Sequence, residues 1–118
     1  MTKDSKACAL LAANILMDKK GQEVSALDIS NITTLADYFV IATGVSSVHV
    51  QALADEVKDK LVEAGYNMRS REGVKEAKWI LLDFYDVVVH IFSAADRDYY
   101  MLERLWADAP SLNFEIEA

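Results

Sequence analysis

The stretch that most constrains the fold of this chain is WILLDFYDVVVHIF, which runs from Trp79 to Phe92. Two runs rich in β-branched and aromatic residues flank a short link that contains Tyr85 and Asp86. This pattern is typical of an antiparallel hairpin. The residues that precede and follow the hairpin are therefore expected to supply the rest of the sheet and its cover.

The two faces of this hairpin differ in chemistry, because successive side chains alternate across a strand. With a two-residue link at Phe84-Tyr85, Asp83 pairs with Asp86 and Trp79 pairs with His90. One face, here called the aliphatic face, consists of Ile80, Leu82, Val87, Val89 and Ile91. The other, here called the mixed face, consists of Trp79, Leu81, Asp83, Asp86, Val88, His90 and Phe92. We expect the aliphatic face to pack on a core, and the mixed face to be covered by another helix of the chain or by a partner.

The remaining sequence predicts an α/β fold in which helices pack on a mixed β-sheet. Apolar periodicity predicts helices over 4–20 and 47–64. Apolar runs predict strands over 24–30 and 38–43, with a shorter strand over 66–69 and a loop over 70–78. Gly21 and Gly65 are expected to end the two helices in the left-handed conformation. A last helix is predicted to begin near Asp96 and to end before Pro110.

Length and composition indicate one globular domain. The chain has 118 residues, of which 53% are hydrophobic, and a single proline. It is large enough to bury a core and too hydrophobic to be disordered. We expect the domain to span residues 1–110 and to be followed by an acidic, mobile tail over 111–118.

Charge and cysteine content restrict the partners and the compartment. A net charge of −7 argues against a nucleic-acid groove, because such grooves neutralise phosphates with lysine and arginine. A basic protein partner suits this charge better. The single cysteine, Cys8, cannot form an internal disulfide and is interpreted as a buried structural side chain, which is consistent with a reducing compartment.

No membrane or export signal is predicted. Residues 7–16, ACALLAANIL, have about the length of the apolar part of a signal peptide, but no A-x-A cleavage site follows them. No apolar run approaches the roughly 18 residues of a membrane span. The chain is therefore expected to be cytoplasmic.

The sequence lacks the residue patterns of a catalytic or metal site. Neither His49 nor His90 has a second histidine or a cysteine at ligand spacing, and no serine or cysteine nucleophile stands in a known motif. The order of elements suits nucleotidyl-transfer folds, whose two-metal chemistry needs paired carboxylates. No D-x-D pair lies on a predicted strand, and Asp83 and Asp86 flank a turn. We expect no cofactor, no metal and no enzymatic activity.

Five segments, taken together and in order, resemble the ribosomal silencing factor (Iojap-like) family. The similarity covers the chain from Lys6 to Pro110, and departs from the family at Tyr85, where glycine is common, and at Val48, where many members carry a charge. The segments are ALDISNITTLADYFVIATG, SSVHVQALADEV, the pair Glu72-Gly73, WILLDF with DVVVHIF, and DRDYYMLERLWADAP.

The resemblance implies a nucleotidyltransferase-like fold without the catalytic carboxylates. It also implies binding to the large ribosomal subunit, through its fourteenth protein, at the face where the small subunit docks. Occupying that face keeps the subunits apart and lowers translation when nutrients are scarce. Family members also form homodimers, and the absence of a recognisable transit peptide favours a bacterial source.

Under this resemblance, the partner-binding residues are expected on the mixed face and on the helix that follows it. They are Trp79, Leu81, Val88, His90, Arg97, Tyr100 and Glu103. Tryptophan, tyrosine and arginine are favoured at the energetic centres of interfaces. In the alternative interpretation, Trp79 and Leu81 pack beneath a helix of their own domain.

Two other functions remain open from the sequence. One is a nucleotidyl-transfer enzyme, which metal-dependent nucleotide turnover lost in Asp83→Ala or Asp86→Ala would favour. The other is a dimeric scaffold with no ribosomal role, which a lack of ribosome association in sedimentation would favour.

Overall fold

In a computed structural model, two helices pack against one face of a five-stranded sheet. The structure describes residues 5–31, 34, 36–73 and 78–94. The helices are α1, Ser5–Asp18, and α2, Ser47–Glu63. The strands are β1, Gln22–Asp28; β2, Tyr38–Gly44; β3, Ser70–Glu72; β4, Trp79–Asp83; and β5, Val87–Ser93. The predicted mixed α/β class is confirmed.

The sheet has the strand order β1-β2-β5-β4-β3. Strands β2 and β5 run parallel, and the other neighbouring strands pair antiparallel. The chain between the two parallel strands contains α2, β3 and β4. Strand β2 is buried from Phe39 to Gly44, which suits a strand inside the sheet with both faces covered.

The aliphatic face of the hairpin packs against α1 and α2, as the alternation predicted. All five of its side chains are at most 1% exposed: Ile80, Leu82, Val87, Val89 and Ile91. They share one core with the apolar stripes of the two helices. Cys8 belongs to this core, and burial raises the pKa of its thiol to about 12. Cys8 is therefore a packed structural side chain rather than a nucleophile.

The turn of the hairpin lies one residue later than the predicted link. Its two central residues are Tyr85 and Asp86, because the Phe84 N–H donates to the Val87 carbonyl across 2.9 Å. Tyr85 has a φ of 70°, a left-handed conformation that is unfavourable for a residue with a side chain. The Asp83 carboxylate accepts a hydrogen bond from the Tyr85 N–H at 2.8 Å and so stabilises this turn.

This turn changes the strand pairing and takes Asp86 out of the mixed face, but the residues of the two strands keep their predicted faces. Trp79 pairs with Phe92 and Leu81 with His90. The predicted pairs Trp79–His90 and Asp83–Asp86 are therefore wrong. Every partner is displaced by two residues, and side chains two apart lie on the same face of a strand.

The ends of the two helices were predicted with different success. Gly65 ends α2 with a φ of 101°, as expected. At the end of α1 it is Lys20, with a φ of 66°, that is left-handed, so the prediction for Gly21 is wrong. Gly21 is instead the next residue of the cap, where its N–H donates to the Leu16 carbonyl at 2.7 Å. A Cβ at Gly21 would lie 2.8 Å from that carbonyl oxygen, which explains a glycine there.

The short strand before the hairpin also lies later than predicted. Strand β3 is Ser70–Glu72, within the segment predicted as a loop, whereas residues 66–69 are not part of a strand. Within the described sheet, β3 lies at the edge and pairs with β4, and its residues are mostly exposed. A polar edge strand lacks the apolar alternation by which strands are recognised.

The predicted last helix, from residue 96, and the predicted tail over 111–118 lie outside the described residues. The domain boundary at residue 110 therefore stays a prediction. Among the described residues there is no helix with the length and apolar character needed to cross a bilayer.

Candidate partner-binding face

The mixed face lies on the side of the sheet opposite α1 and α2, and it carries an apolar cluster of its own. The buried members of this cluster are Leu27, Ile29, Ala36, Phe39, Ile41 and Phe92. Trp79 and Val88 are partly buried against them. The cluster takes its residues from β1, the segment that follows it, β2 and the hairpin, and none from the two described helices.

Two of the contacts that hold Trp79 in this cluster are of different kinds. Its indole stacks on the Phe92 ring, with 5.2 Å between centroids and 25° between planes. Its Nε1–H donates a hydrogen bond to Nδ1 of His90 at 3.1 Å. Stacking fixes the plane of the indole, and the hydrogen bond fixes which edge points towards His90.

His90 is buried beneath this tryptophan and is neutral at physiological pH. The residue is 4% exposed. Its ring makes an edge-to-face contact with the Phe39 ring, with 4.7 Å between centroids. Burial lowers the pKa of His90 to about 4, because a charged imidazolium is poorly solvated in an apolar surrounding. Since an indole N–H can only donate, Nδ1 of His90 is unprotonated and Nε2 carries the proton.

The predicted contact residues of the hairpin differ in how far they reach the surface. Trp79, Leu81 and Val88 are partly exposed, whereas His90 is buried behind them. Leu81 is the direct cross-strand neighbour of His90. These three side chains form a partly exposed apolar part of the mixed face. The other predicted contacts, Arg97, Tyr100 and Glu103, lie outside the described residues.

A charged group that no sequence pattern indicated borders the hairpin turn. The Arg69 guanidinium donates to Asp83 at 2.7 Å and lies 5.0 Å from the centre of the Tyr85 ring. The hydrogen bond and the charge of Asp83 raise the pKa of Arg69. Tyr85 is 50% exposed. Arg69 and Asp83 are 14 positions apart, and only the pairing of the strands brings them together.

The side chains of Asp83 and His49 are engaged in structural contacts. Asp83 binds Arg69, and His49 accepts from the Val45 N–H at 2.9 Å while its Nε2 lies 3.0 Å from the Lys19 carbonyl. His49 thereby joins the start of α2 to the end of α1. Among the described residues no group of three or more His, Cys, Asp or Glu side chains could hold a metal ion.

Comparison with known proteins identifies the class of protein that carries this fold and face. The model of the family described as "Ribosomal silencing factor during starvation" matches residues 2–118, and the chain belongs to this family. It is 45% identical to the ribosomal silencing factor RsfS of Bacillus subtilis, over 91% of this chain and 91% of that protein. The resemblance seen in the sequence is thereby confirmed.

Solved structures share the fold. A crystal structure of a Chromobacterium violaceum protein matches with a TM-score of 0.86 and 39% identity, over 98% of this chain and 96% of that chain. A crystal structure of a Bacillus halodurans protein matches with a TM-score of 0.79 and 39% identity, over 93% and 99% respectively. The five-stranded mixed sheet with its helices is therefore the fold of a family of ribosomal silencing factors, which are regulatory proteins.

Proposed function

We propose that this protein binds the large ribosomal subunit through the fourteenth protein of that subunit, at the face where the small subunit docks. Binding there prevents the two subunits from joining and represses translation when nutrients are limiting. The contact surface is the mixed face together with the segment that follows the hairpin. Its residues are Trp79, Leu81 and Val88, with His90 beneath them, and Arg97, Tyr100 and Glu103.

The observation that carries this proposal is the partly exposed tryptophan fixed on an apolar sheet face. Tryptophan is the residue type most enriched among the energetic centres of interfaces. A side chain that is already held, as Trp79 is by Phe92 and His90, loses little further freedom when a partner binds. Leu81 and Val88 extend the apolar area on the same face.

The charge of the chain supports a basic protein as the direct contact. With a net charge of −7, the chain attracts a basic ribosomal protein over long range and is repelled by ribosomal RNA. The contact on the subunit is therefore proposed to be protein to protein, without a groove for nucleic acid.

The direct test measures the affinity of the purified fourteenth ribosomal protein for three forms of the chain. Leu81→Ala is expected to weaken binding by about tenfold or more, which is about 1.4 kcal/mol, because it removes apolar contact area from the mixed face. Val62→Ala is the matched control, since Val62 is 51% exposed and lies on α2, on the other side of the sheet. Equal affinities for all three forms would contradict the proposal.

We also infer, from the family resemblance, that the protein is a homodimer in the bacterial cytoplasm and acts without a cofactor. Light scattering on the purified protein should then give about twice the chain mass of 13.2 kDa. A monomer mass at the concentrations used for binding would contradict the dimer and leave the ribosomal proposal to the affinity test.

A further inference from the structure

The side chain of His90 makes one hydrogen bond in the described part of the chain, and that bond is to Trp79. Nδ1 accepts from the Trp79 indole at 3.1 Å. The acceptor comes from a side chain that is itself held in place: the His90 ring contacts Phe39 at 4.7 Å and lies nearly parallel to Phe92, with 8° between planes and 6.3 Å between centroids. The indole is thus bonded to a rigid partner.

The same bond determines which ring nitrogen of His90 carries the proton. Because Nδ1 accepts from Trp79, Nε2 must carry the proton, and Nε2 has no hydrogen-bond partner among the described residues. A buried unpaired donor costs free energy, and a phenylalanine would fill the same space without one. What histidine supplies at this position is the acceptor for Trp79.

We propose that His90 is a positioning residue: it fixes the Trp79 indole in the orientation that meets the partner and does not contact the partner itself. The exposure pattern agrees, because Trp79 is partly exposed and His90 is 4% exposed. This inference rests on the proposed function, since it assigns a role within the same binding face.

Two substitutions of similar size separate positioning from simple packing. In His90→Asn, the amide oxygen stands close to where Nδ1 was and can still accept from Trp79. In His90→Leu, a side chain of nearly the same shape has no acceptor but suits the apolar surrounding better. Positioning predicts that His90→Leu binds large subunits about tenfold more weakly than His90→Asn, although His90→Leu has the higher melting temperature. If His90 acted only through packing, the more stable variant would also bind more tightly, so His90→Leu would bind large subunits at least as tightly as His90→Asn.

The orientation of the indole has its own readout in the free protein. The NMR resonance of the Trp79 Nε1–H, identified by its loss in Trp79→Phe, reports the hydrogen bond directly. It is expected to stay near its original position in His90→Asn and to shift in His90→Leu. In a Trp79→Phe background, which has no donor, the affinity difference between the two His90 variants should disappear.

The outcomes separate this inference from the proposed function. If the original protein binds large subunits and the two His90 variants bind equally well, positioning is refuted while the proposed function stands. An indole resonance that is the same in both variants would also refute positioning. If the original protein does not bind large subunits, the proposed function and the role of His90 within it both fail.

Discussion

The stability of the folded chain depends on pH through the side chain of His90. Its pKa falls from 6.5 to about 4 on folding, so between these two values the unfolded chain binds a proton that the folded chain does not. The sign follows from linkage: stability rises with pH through this range and is lost as the pH falls from 6.5 towards 4.

At the residue scale, we predict the size of the stability that His90 loses for the folded chain at acidic pH. Between about pH 7 and about pH 5, His90 should lower the free energy of unfolding by about 2 kcal/mol. Denaturant unfolding at the two pH values measures the loss, and His90→Leu should show a loss smaller by about that amount. If both proteins lost the same stability, His90 would not be buried in its neutral form.

Single-residue chemistry was only partly predictable at this site. The contact between Trp79 and His90 was expected from the hairpin, and it exists, although the two residues are diagonal neighbours and not a direct pair. The burial of His90 was not predicted, because one of its contacts is Phe39 on β2, 51 positions away in the chain. A pattern within one hairpin carries no information about the strand beside it.

At the scale of elements, the hairpin turn contains a residue in an unfavourable conformation. Tyr85 has a φ of 70°, a conformation that glycine adopts without strain. Tyr85→Gly should be more stable than Tyr85→Ala by about 1 kcal/mol, because both lose the contact with Arg69 and only glycine avoids the left-handed strain. Thermal or denaturant unfolding of the pair measures the difference. Equal stabilities of the two variants would contradict this prediction and would mean that the turn of Tyr85→Ala adopts another, unstrained conformation.

A second element-scale prediction concerns the junction between β3 and β4. Gly73 has a φ of 81°, and a Cβ there would collide with the Trp79 carbonyl oxygen. Gly73→Ala should therefore lower the free energy of unfolding by about 2 kcal/mol or more and shift the Trp79 indole resonance.

Gly65→Ala is the control for this junction, since Gly65 is also left-handed, with a φ of 101°, but ends α2. It should lose stability without moving the Trp79 resonance. A Gly73→Ala protein with the original stability and an unchanged Trp79 resonance would contradict this prediction, because the backbone near Trp79 would then accommodate the added Cβ at little cost in free energy.

Elements with a strong period were predictable, and those without one were not. Helix α2 was expected over 47–64 and is found at Ser47–Glu63, because its apolar residues recur at helical spacing along its whole length. Strand β3 was displaced, since its position depends on pairing with β4 rather than on its own residues. The strand residues of the hairpin were assigned to the correct faces although the turn was wrong, because a shift of two residues in the pairing preserves the alternation of side chains.

At the scale of the whole molecule, the two sides of the sheet differ: one packs against α1 and α2, and the other is the mixed face. The helices bury the aliphatic face, whereas the mixed face keeps partly exposed apolar side chains, among them Trp79 and Val88. The parallel pairing of β2 with β5 creates this face by joining Phe39 and Ile41 to the hairpin. That long-range pairing was not foreseen from local patterns, whereas the family was recognised from motifs spread along the chain.

Sucrose-gradient sedimentation measures whether this protein keeps the two ribosomal subunits apart. Purified large subunits are incubated with this protein, small subunits are then added, and the joined particle is quantified. The protein is expected to travel with the large subunit and to suppress the joined particle, with Val62→Ala acting like the original protein and Leu81→Ala acting more weakly. A protein that stays at the top of the gradient, or joined particles at the level seen without it, would contradict the proposed function.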